Sequence, residues 1–283
     1  MIRSLSQAYT LHSAGSSFAS KHAEAIFVSG HSPEVLRPRI DAIRKLAEQE
    51  GRDSRSIKFF ATFTPILGKT DEEAQEKLAE LQKYASVTGG LVLFSGWTGI
   101  DISQIPLDQE ITAADSKEVH KVTSQLHAFT TTSKEVPKWT PRVVAEKVGI
   151  GGLGPVGVGS PATIADEMQR WVREADLDGF NIGYVTTPGT FEDVVELLIP
   201  ELRRRGVYPE KGAKEGLTAR EKVYGAGQAG LRADHTGSTY KYDVYKEEDP
   251  YVAQAEQQEK HDADSNVLLE KGKVTVNTSE VVA

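Results

Sequence analysis

The sequence predicts an α/β protein built on a parallel sheet. Apolar, β-compatible runs recur at Ala23–Ser29, Ile57–Leu67 and Asp178–Thr187. Stretches with apolar residues at helical spacing alternate with them, giving the order strand, helix, strand, helix, insertion, helix, strand, helix. That alternation implies parallel strands joined by right-handed crossovers.

The elements follow in order. After AEAIFVS, residues Pro33 to Glu50 place Val35, Ile40, Ile43 and Ala47 on one helical face. The run IKFFATFTPIL is rich in aromatic and β-branched residues without strict alternation, as a strand buried on both faces requires. Thr70 and Glu73 have capping-box spacing, and Ala74, Leu78, Leu81 and Ala85 then make one apolar face. Residues Ser86 to Val136 break the rhythm with GG, SGW and TGID turns and a Thr- and Ser-rich stretch, too long for an ordinary connection. This segment is expected to be an insertion acting as a lid.

Ser160 stands as an N-cap with Pro161 at the first helical position, and Ile164, Met168, Trp171, Val172 and Ala175 form the stripe of the next helix. Thr190 with Asp193 opens a final helix through Val194, Leu197, Leu198 and Leu202 to Gly206, with a kink expected at Pro200. Beyond Tyr208 the composition turns polar, and residues after about Tyr245 are expected to be disordered or loosely attached.

Composition excludes several function classes. The chain has 283 residues, with 33 basic and 41 acidic side chains giving a net charge of −8, and no basic stripe gathers along it. A nucleic-acid partner is therefore not expected, because phosphate neutralisation supplies most of that affinity. There are no cysteines, which removes disulfides, thiolate metal sites and a cysteine nucleophile. No apolar run reaches the roughly 18 residues of a spanning helix, and the start carries no signal-peptide core, so a cytoplasmic, non-membrane protein is expected.

Some residues suggest chemistry but admit plainer readings. GIGGLG from Gly149 matches the dinucleotide-loop spacing, yet it lacks a clear preceding buried strand and a ribose-binding acid, so a structural role is the expectation. His22 and Glu24 alternate at the entry to a strand and fit either acid–base work or a packed, hydrogen-bonded pair. His120 and His127, seven residues apart, have no confirming ligand set for a metal. Trp171 follows the core stripe, whereas Trp97 in the SGWTG turn fits a pocket wall or a core position equally.

Longer motifs carry a resemblance. SAGSSFASKHAEAIFVSG at Ser13–Gly30, FFATFTPILGKTDEEAQEKLAEL at Phe59–Leu81, FSGWTGIDISQIPLD at Phe94–Asp108, VGSPATIADEMQRWVREADLDGFNI at Val158–Ile182 and LTAREKVYG at Leu217–Gly225 stand in one order. The chain is similar through them to the second half of bacterial-luciferase-like, flavin-dependent monooxygenases of the nitrilotriacetate, pristinamycin IIA synthase and dibenzothiophene-sulfone group. The resemblance spans about Ser13 to Tyr242.

The resemblance implies a partial TIM (β/α)8 barrel, roughly its C-terminal half, over residues 1–206 with the insertion at about 86–140, followed by a C-terminal extension over 207–283. It implies FMN as cofactor, received as FMNH2 from a separate flavin reductase by diffusion, and oxygenation of a small organic substrate through a flavin hydroperoxide. The site would lie at the carboxyl ends of the strands, facing the loops after Val28, Phe63 and Tyr184. The family's phosphate loop reads QAG, one or two serines, then AG. QAYTLHSAG at Gln7–Gly15 keeps the ending and departs at Leu11 and His12. Ser13, Gly15 and Ser16 would supply donors at a helix start, and His12 would add charge when protonated. The family's first strands would precede Met1, so the alternative is a catalytically incompetent truncated fragment or an incomplete gene model of such an enzyme. Open strand edges then predict a homo-oligomer.

Overall fold

The computed structural model describes residues 7–9, 13–111, 131–134, 136–152 and 154–240. His12, His120, His127 and the tail after Tyr245 lie outside the described residues. The chain divides into two compact units, Met1–Gly230 and Leu231–Ala283. The described part of the second is a short stretch with a 3-10 turn at Thr236–Tyr240.

The first unit is α/β with an all-parallel sheet. Its strands are β1 (Gln7–Tyr9), β2 (Ala25–Val28), β3 (Lys58–Leu67), β4 (Val156–Gly159) and β5 (Gly179–Ile182). β1 pairs with β2 through Ala8 and Ile26, and β2 with β3 through Ile26 and Phe59. β3 changes neighbours along its length. Phe60–Phe63 pair with β5, and Thr64–Leu67 pair with β4. The sheet is not closed: among the described residues β1 pairs only with β2, and β5 only with β3.

The helices explain themselves from their ends. α1 (Ser13–His22) follows β1, and α2 (Pro33–Gln49) starts with proline at its first position and buries Val35, Ile40, Ile43 and Ala47. α3 (Asp71–Gln82) is capped by Thr70, whose hydroxyl accepts from Glu73 N–H, while the Glu73 carboxylate accepts from Lys69 N–H. α3 stops at Gln82, so Ala85 lies beyond it and is exposed.

The insertion and the stretch directly after it contain regular structure that glycine concealed. α4 (Val87–Thr98) runs through Gly89 and Gly90, and α5 (Pro141–Gly151) is capped by Thr140. Gly90 is required there by close approach: a Cβ would stand 2.2 Å from the Ala145 carbonyl oxygen of α5. A breaker in the sequence is thus the contact point between two helices. The run VGIGGLGPVGVG likewise splits, its start ending α5 and its end forming β4.

α6 (Pro161–Ala175) is capped by Ser160 and buries Ile164, Ala165, Met168, Trp171 and Ala175. Val172, expected on that stripe, is exposed. Asp71 ties α3 to the start of α6, its carboxylate accepting from Ser160 N–H at 2.6 Å and the Thr163 hydroxyl at 2.7 Å. The helical stretch after β5 comprises α7 (Gly189–Asp193), a π turn at Val194–Leu198 and α8 (Ile199–Arg204). The break falls just before Pro200, which cannot donate to a carbonyl one turn back. Thr190 does not cap this helix: it is buried, and its hydroxyl accepts from Val185 and Thr186 N–H.

Two apolar cores result. The larger lies between the sheet and helices α1, α2 and α6, with Ile26, Phe59, Ala61 and Phe63 against Leu36, Ile40, Met168 and Trp171. The smaller joins the insertion to α5, with Phe94, Ile102 and Trp139 against Val144 and Val148. Among the described residues no helix is long and apolar enough to cross a membrane.

The amino edge of the sheet is sealed by buried cations and a late helix. Arg52 donates to the Ser20 and Ala23 carbonyls, and α9 (Ala219–Tyr224) sends Arg220 to the Glu24 carboxylate at 2.7 and 2.9 Å. The Tyr224 hydroxyl lies 3.0 Å from the Glu24 carbonyl oxygen and 2.9 Å from that of Ser56.

Candidate functional site

Parallel strands bring their following loops to one edge, and that carboxyl edge collects the candidate residues. Ser13 begins α1, with Gly15 and Ser16 in its first turn, both half-buried. The opening N–H groups of a helix have no intrahelical partner and carry the positive end of its dipole. The first turn of α1 holds no acidic side chain, and its basic residues, Lys21 and His22, stand at the far end. Such a start fits a phosphate. Ser13, Gly15 and Ser16 are therefore brought together, while His12 lies outside the described residues.

The other edge loops differ in part from expectation. β2 ends at Val28 as expected, and the chain turns there through Ser29–Ser32. β3 does not end at Phe63, because its pairing with β4 carries it to Leu67. β5 ends at Ile182, and Tyr184 stands exposed in the loop beyond, against Phe191 at 5.6 Å between ring centroids.

The insertion reaches the β2 loop at Trp139 and His31. The Trp139 ring, 1% exposed, stands 5.1 Å from His31, and its indole N–H donates to the Thr131 carbonyl at 2.8 Å. Burial first, and the Lys147 cation second, push the His31 imidazole down from the ordinary 6.5 to about 3. It is therefore neutral near pH 7. Sequence reading passed over His31; a histidine directly after a buried strand and before the Ser32–Pro33 helix start was the available signal.

This burial makes a prediction. Between pH 6.5 and about 3 the unfolded chain binds a proton at His31 that the folded chain does not, so stability is full above 6.5 and falls as pH drops. The loss is about 1.4 kcal/mol per pH unit within that window. Urea midpoints at pH 7 and pH 5 are expected to differ less for His31→Gln than for the parent chain. Equal differences would remove His31 as the cause.

The remaining candidates resolve into structural parts. The His22 ring lies tilted against Phe18, centroids 4.8 Å apart, and the buried Glu24 is held by Arg220 at the amino edge, away from the α1 start. The GIGGLG motif begins in the last turn of α5 and precedes β4, the reverse of the strand-then-helix order that a dinucleotide loop requires. Trp171 is core, whereas Trp97 is 47% exposed on α4 and lines neither core. Among the described residues no group of three or more His, Cys, Asp or Glu is arranged to hold a metal.

The sheet face opposite the larger core is incompletely covered. Phe27 and Phe60 are register partners with ring centroids 6.1 Å apart, as are Thr62 and Asn181, and none of the four is buried. In a closed barrel this would be the interior. Two surface depressions of about 620 and 680 Å³ border Arg170 and Arg173 on α6, and neither is lined by α1 or by the loops after β1, β2 and β5.

Comparison with known proteins places this arrangement. A model described as luciferase-like monooxygenase matches residues 10–178. The chain is 38% identical over 231 residues to a dimethyl-sulfide monooxygenase of Hyphomicrobium sulfonivorans, covering 82% of this chain and 47% of that protein. It is 39% identical over 227 residues to a long-chain alkane monooxygenase of Geobacillus thermodenitrificans, covering 80% and 46%. A crystal structure of a long-chain alkane monooxygenase superposes with a TM-score of 0.68 at 36% identity, over 83% of this chain and 48% of that one. A riboflavin lyase crystallised with modified FMN and riboflavin superposes at 0.69 and 30% identity, over 83% and 50%. Nitrilotriacetate monooxygenase component A of Aminobacter aminovorans is more distant, at 26% over 211 residues. The chain spans about half the length of the curated relatives it matches. The luciferase-like monooxygenase model, matched over residues 10–178 of a chain with an all-parallel sheet, identifies the chain as a member of that family.

Proposed function

We infer that the chain forms the C-terminal, phosphate-holding arc of a TIM barrel that uses reduced FMN to oxygenate a small organic molecule. The observation that carries this reading is the start of α1 at the carboxyl edge, with Ser13, Gly15 and Ser16 in one turn and no carboxylate among them. Ser13 and Ser16 would donate hydroxyls to the phosphate and the opening N–H groups would share its charge, with His12 adding a cation when protonated. Bound reduced FMN would supply the electrons that activate oxygen. The protein would fix the ring and exclude water, and a flavin reductase would deliver the cofactor by diffusion.

A second reading is that the chain holds the phosphate but does not oxygenate by itself. The uncovered sheet face with Phe27, Phe60, Thr62 and Asn181 favours it, because a reacting flavin needs a dry cavity.

Anaerobic titration with reduced FMN tests the phosphate site. Binding is expected in the micromolar range and Ser16→Asp is expected to weaken it at least tenfold, since a like charge would sit at the anion site. Reduced riboflavin, which lacks the phosphate, should respond little to the substitution. No binding at tens of micromolar reduced FMN would defeat the first reading and the second together. Binding without oxygen-dependent conversion of dialkyl sulfide or alkane substrates would leave the second.

A further inference from the structure

α4 is apolar on both of its sides. It has no charged residue in twelve, whereas α3, of the same length, has six. One side buries Gly90 and Phe94 toward α5. The other presents Val92 at 65% exposure, Leu93 at 43% and Trp97 at 47%. A helix facing only water on that second side would carry charge there, so this one is built for contact with something apolar.

The place of Trp97 decides what this side looks onto. A Cβ on Gly152 would stand 3.9 Å from Trp97 Cη2, so the ring reaches the turn that follows α5. That turn lies on β3. The Thr64 hydroxyl is 3.5 Å from the Gly151 carbonyl oxygen, and a Cβ on Gly154 would stand 3.0 Å from the Thr62 carbonyl oxygen and 3.1 Å from Thr62 Cγ2. Gly154 is glycine because the backbone passes that close. Thr62 in turn is the register partner of Asn181, one residue before β5 ends. Trp97 is thereby held at the carboxyl rim of the sheet face that lies opposite the larger core, where the ligands of such sheets are bound.

We propose that the outer side of α4, with Leu93 and Trp97 at its centre, is the wall against which the substrate lies, and that the substrate is an uncharged, largely hydrocarbon molecule. This deepens the flavin reading and rests on it for the reaction. A carboxylate-bearing substrate would lose water at this wall and find no counter-charge on the helix. An alkyl chain loses nothing there, and both partners leave water. Gly96 keeps the wall open, since a Cβ at that position would meet no atom within 4 Å. Leu93, Gly96 and Trp97 set the choice of substrate, while the phosphate site on α1 is separate from them.

Trp97 also reports on the wall, because the other two tryptophans, Trp139 and Trp171, are each 1% exposed. Titration of the full, flavin-free chain with dipropyl sulfide is expected to shift tryptophan emission to shorter wavelength and to saturate. Succinate, of similar length and doubly charged, should produce no shift. Gly96→Glu and Leu93→Asp are each expected to weaken the sulfide titration at least tenfold with circular dichroism unchanged. Gly96→Glu adds its side chain into open space, so its fold is not at risk. Val172→Glu, on the exposed side of α6, should leave the titration as it is.

Sulfide binding that Gly96→Glu leaves untouched would overturn the wall. So would an equal response to succinate, or no response to the sulfide in a chain that binds reduced FMN. Each of these leaves the flavin reading standing, because Ser16→Asp and reduced FMN decide that one. A chain that binds neither compound would remove both.

Discussion

Arg44→Met is expected to lower the unfolding free energy by about 3–5 kcal/mol, as removing one partner of a buried ion pair does. The guanidinium, with its side chain 8% exposed, donates to the Asp176 carboxylate at 2.7 Å and to the Ser54 carbonyl at 2.7 Å, and lies 4.8 Å from the Phe59 ring centroid. Methionine keeps much of the volume but supplies no donor, leaving those oxygens without this partner in a place that water reaches poorly. Because Arg44 joins α2, the turn before β3 and the turn before β5, the loss falls on the sheet's amino edge as a whole. Arg55, which also meets Asp176 but is 64% exposed, is the control: Arg55→Ala is expected to cost about 1 kcal/mol or less. Equal urea midpoints for the two variants would refute this ranking.

Trp139→Ala is expected to cost a similar amount, about 3–5 kcal/mol, through the cavity left in the insertion core. The indole also holds the Thr131 carbonyl and walls His31, so the substitution separates the insertion from the β2 loop. Limited proteolysis should then cut first within residues 87–151, ahead of the sheet. The His31 imidazole, newly wetted, should move back toward its ordinary pKa, making the acid sensitivity of the variant smaller than that of the parent. Uniform cleavage across the chain, with unchanged acid sensitivity, would show that the two cores do not meet through this ring.

Most of the sheet and its covering helices could be read in the residues because local signals agreed with tertiary demands. Thr70, Ser160 and Pro161 mark helix starts in the sequence and do so in the structure, and the runs at β2 and β3 are apolar enough to declare burial, whereas β5 forms a strand as expected but is not buried. What was missed had conflicting signals. β1 is three residues long, too short for any period, and α4 contains Gly89 and Gly90, read as a turn. Gly90 serves packing against Ala145, a partner 55 residues away that no local rule reveals. The helix start at Ser13, with Gly15 and Ser16 in its first turn, was legible, since helix starts follow local chemistry. His31 was not, because its burial depends on Trp139 arriving from the insertion.

The ties from Arg220 and Tyr224 to Glu24 and Ser56 bear on how the protein is made. The partner of the buried Glu24 carboxylate lies 196 residues downstream, so a nascent chain leaving the ribosome exposes β2 and β3 long before their closing residues emerge. Glu24 must stay wet until then, which holds the early strands short of their final burial during synthesis. The last helix of the first unit thus times the maturation of its first strands, and translation ending ahead of Arg220 would release a sheet with its floor unsealed.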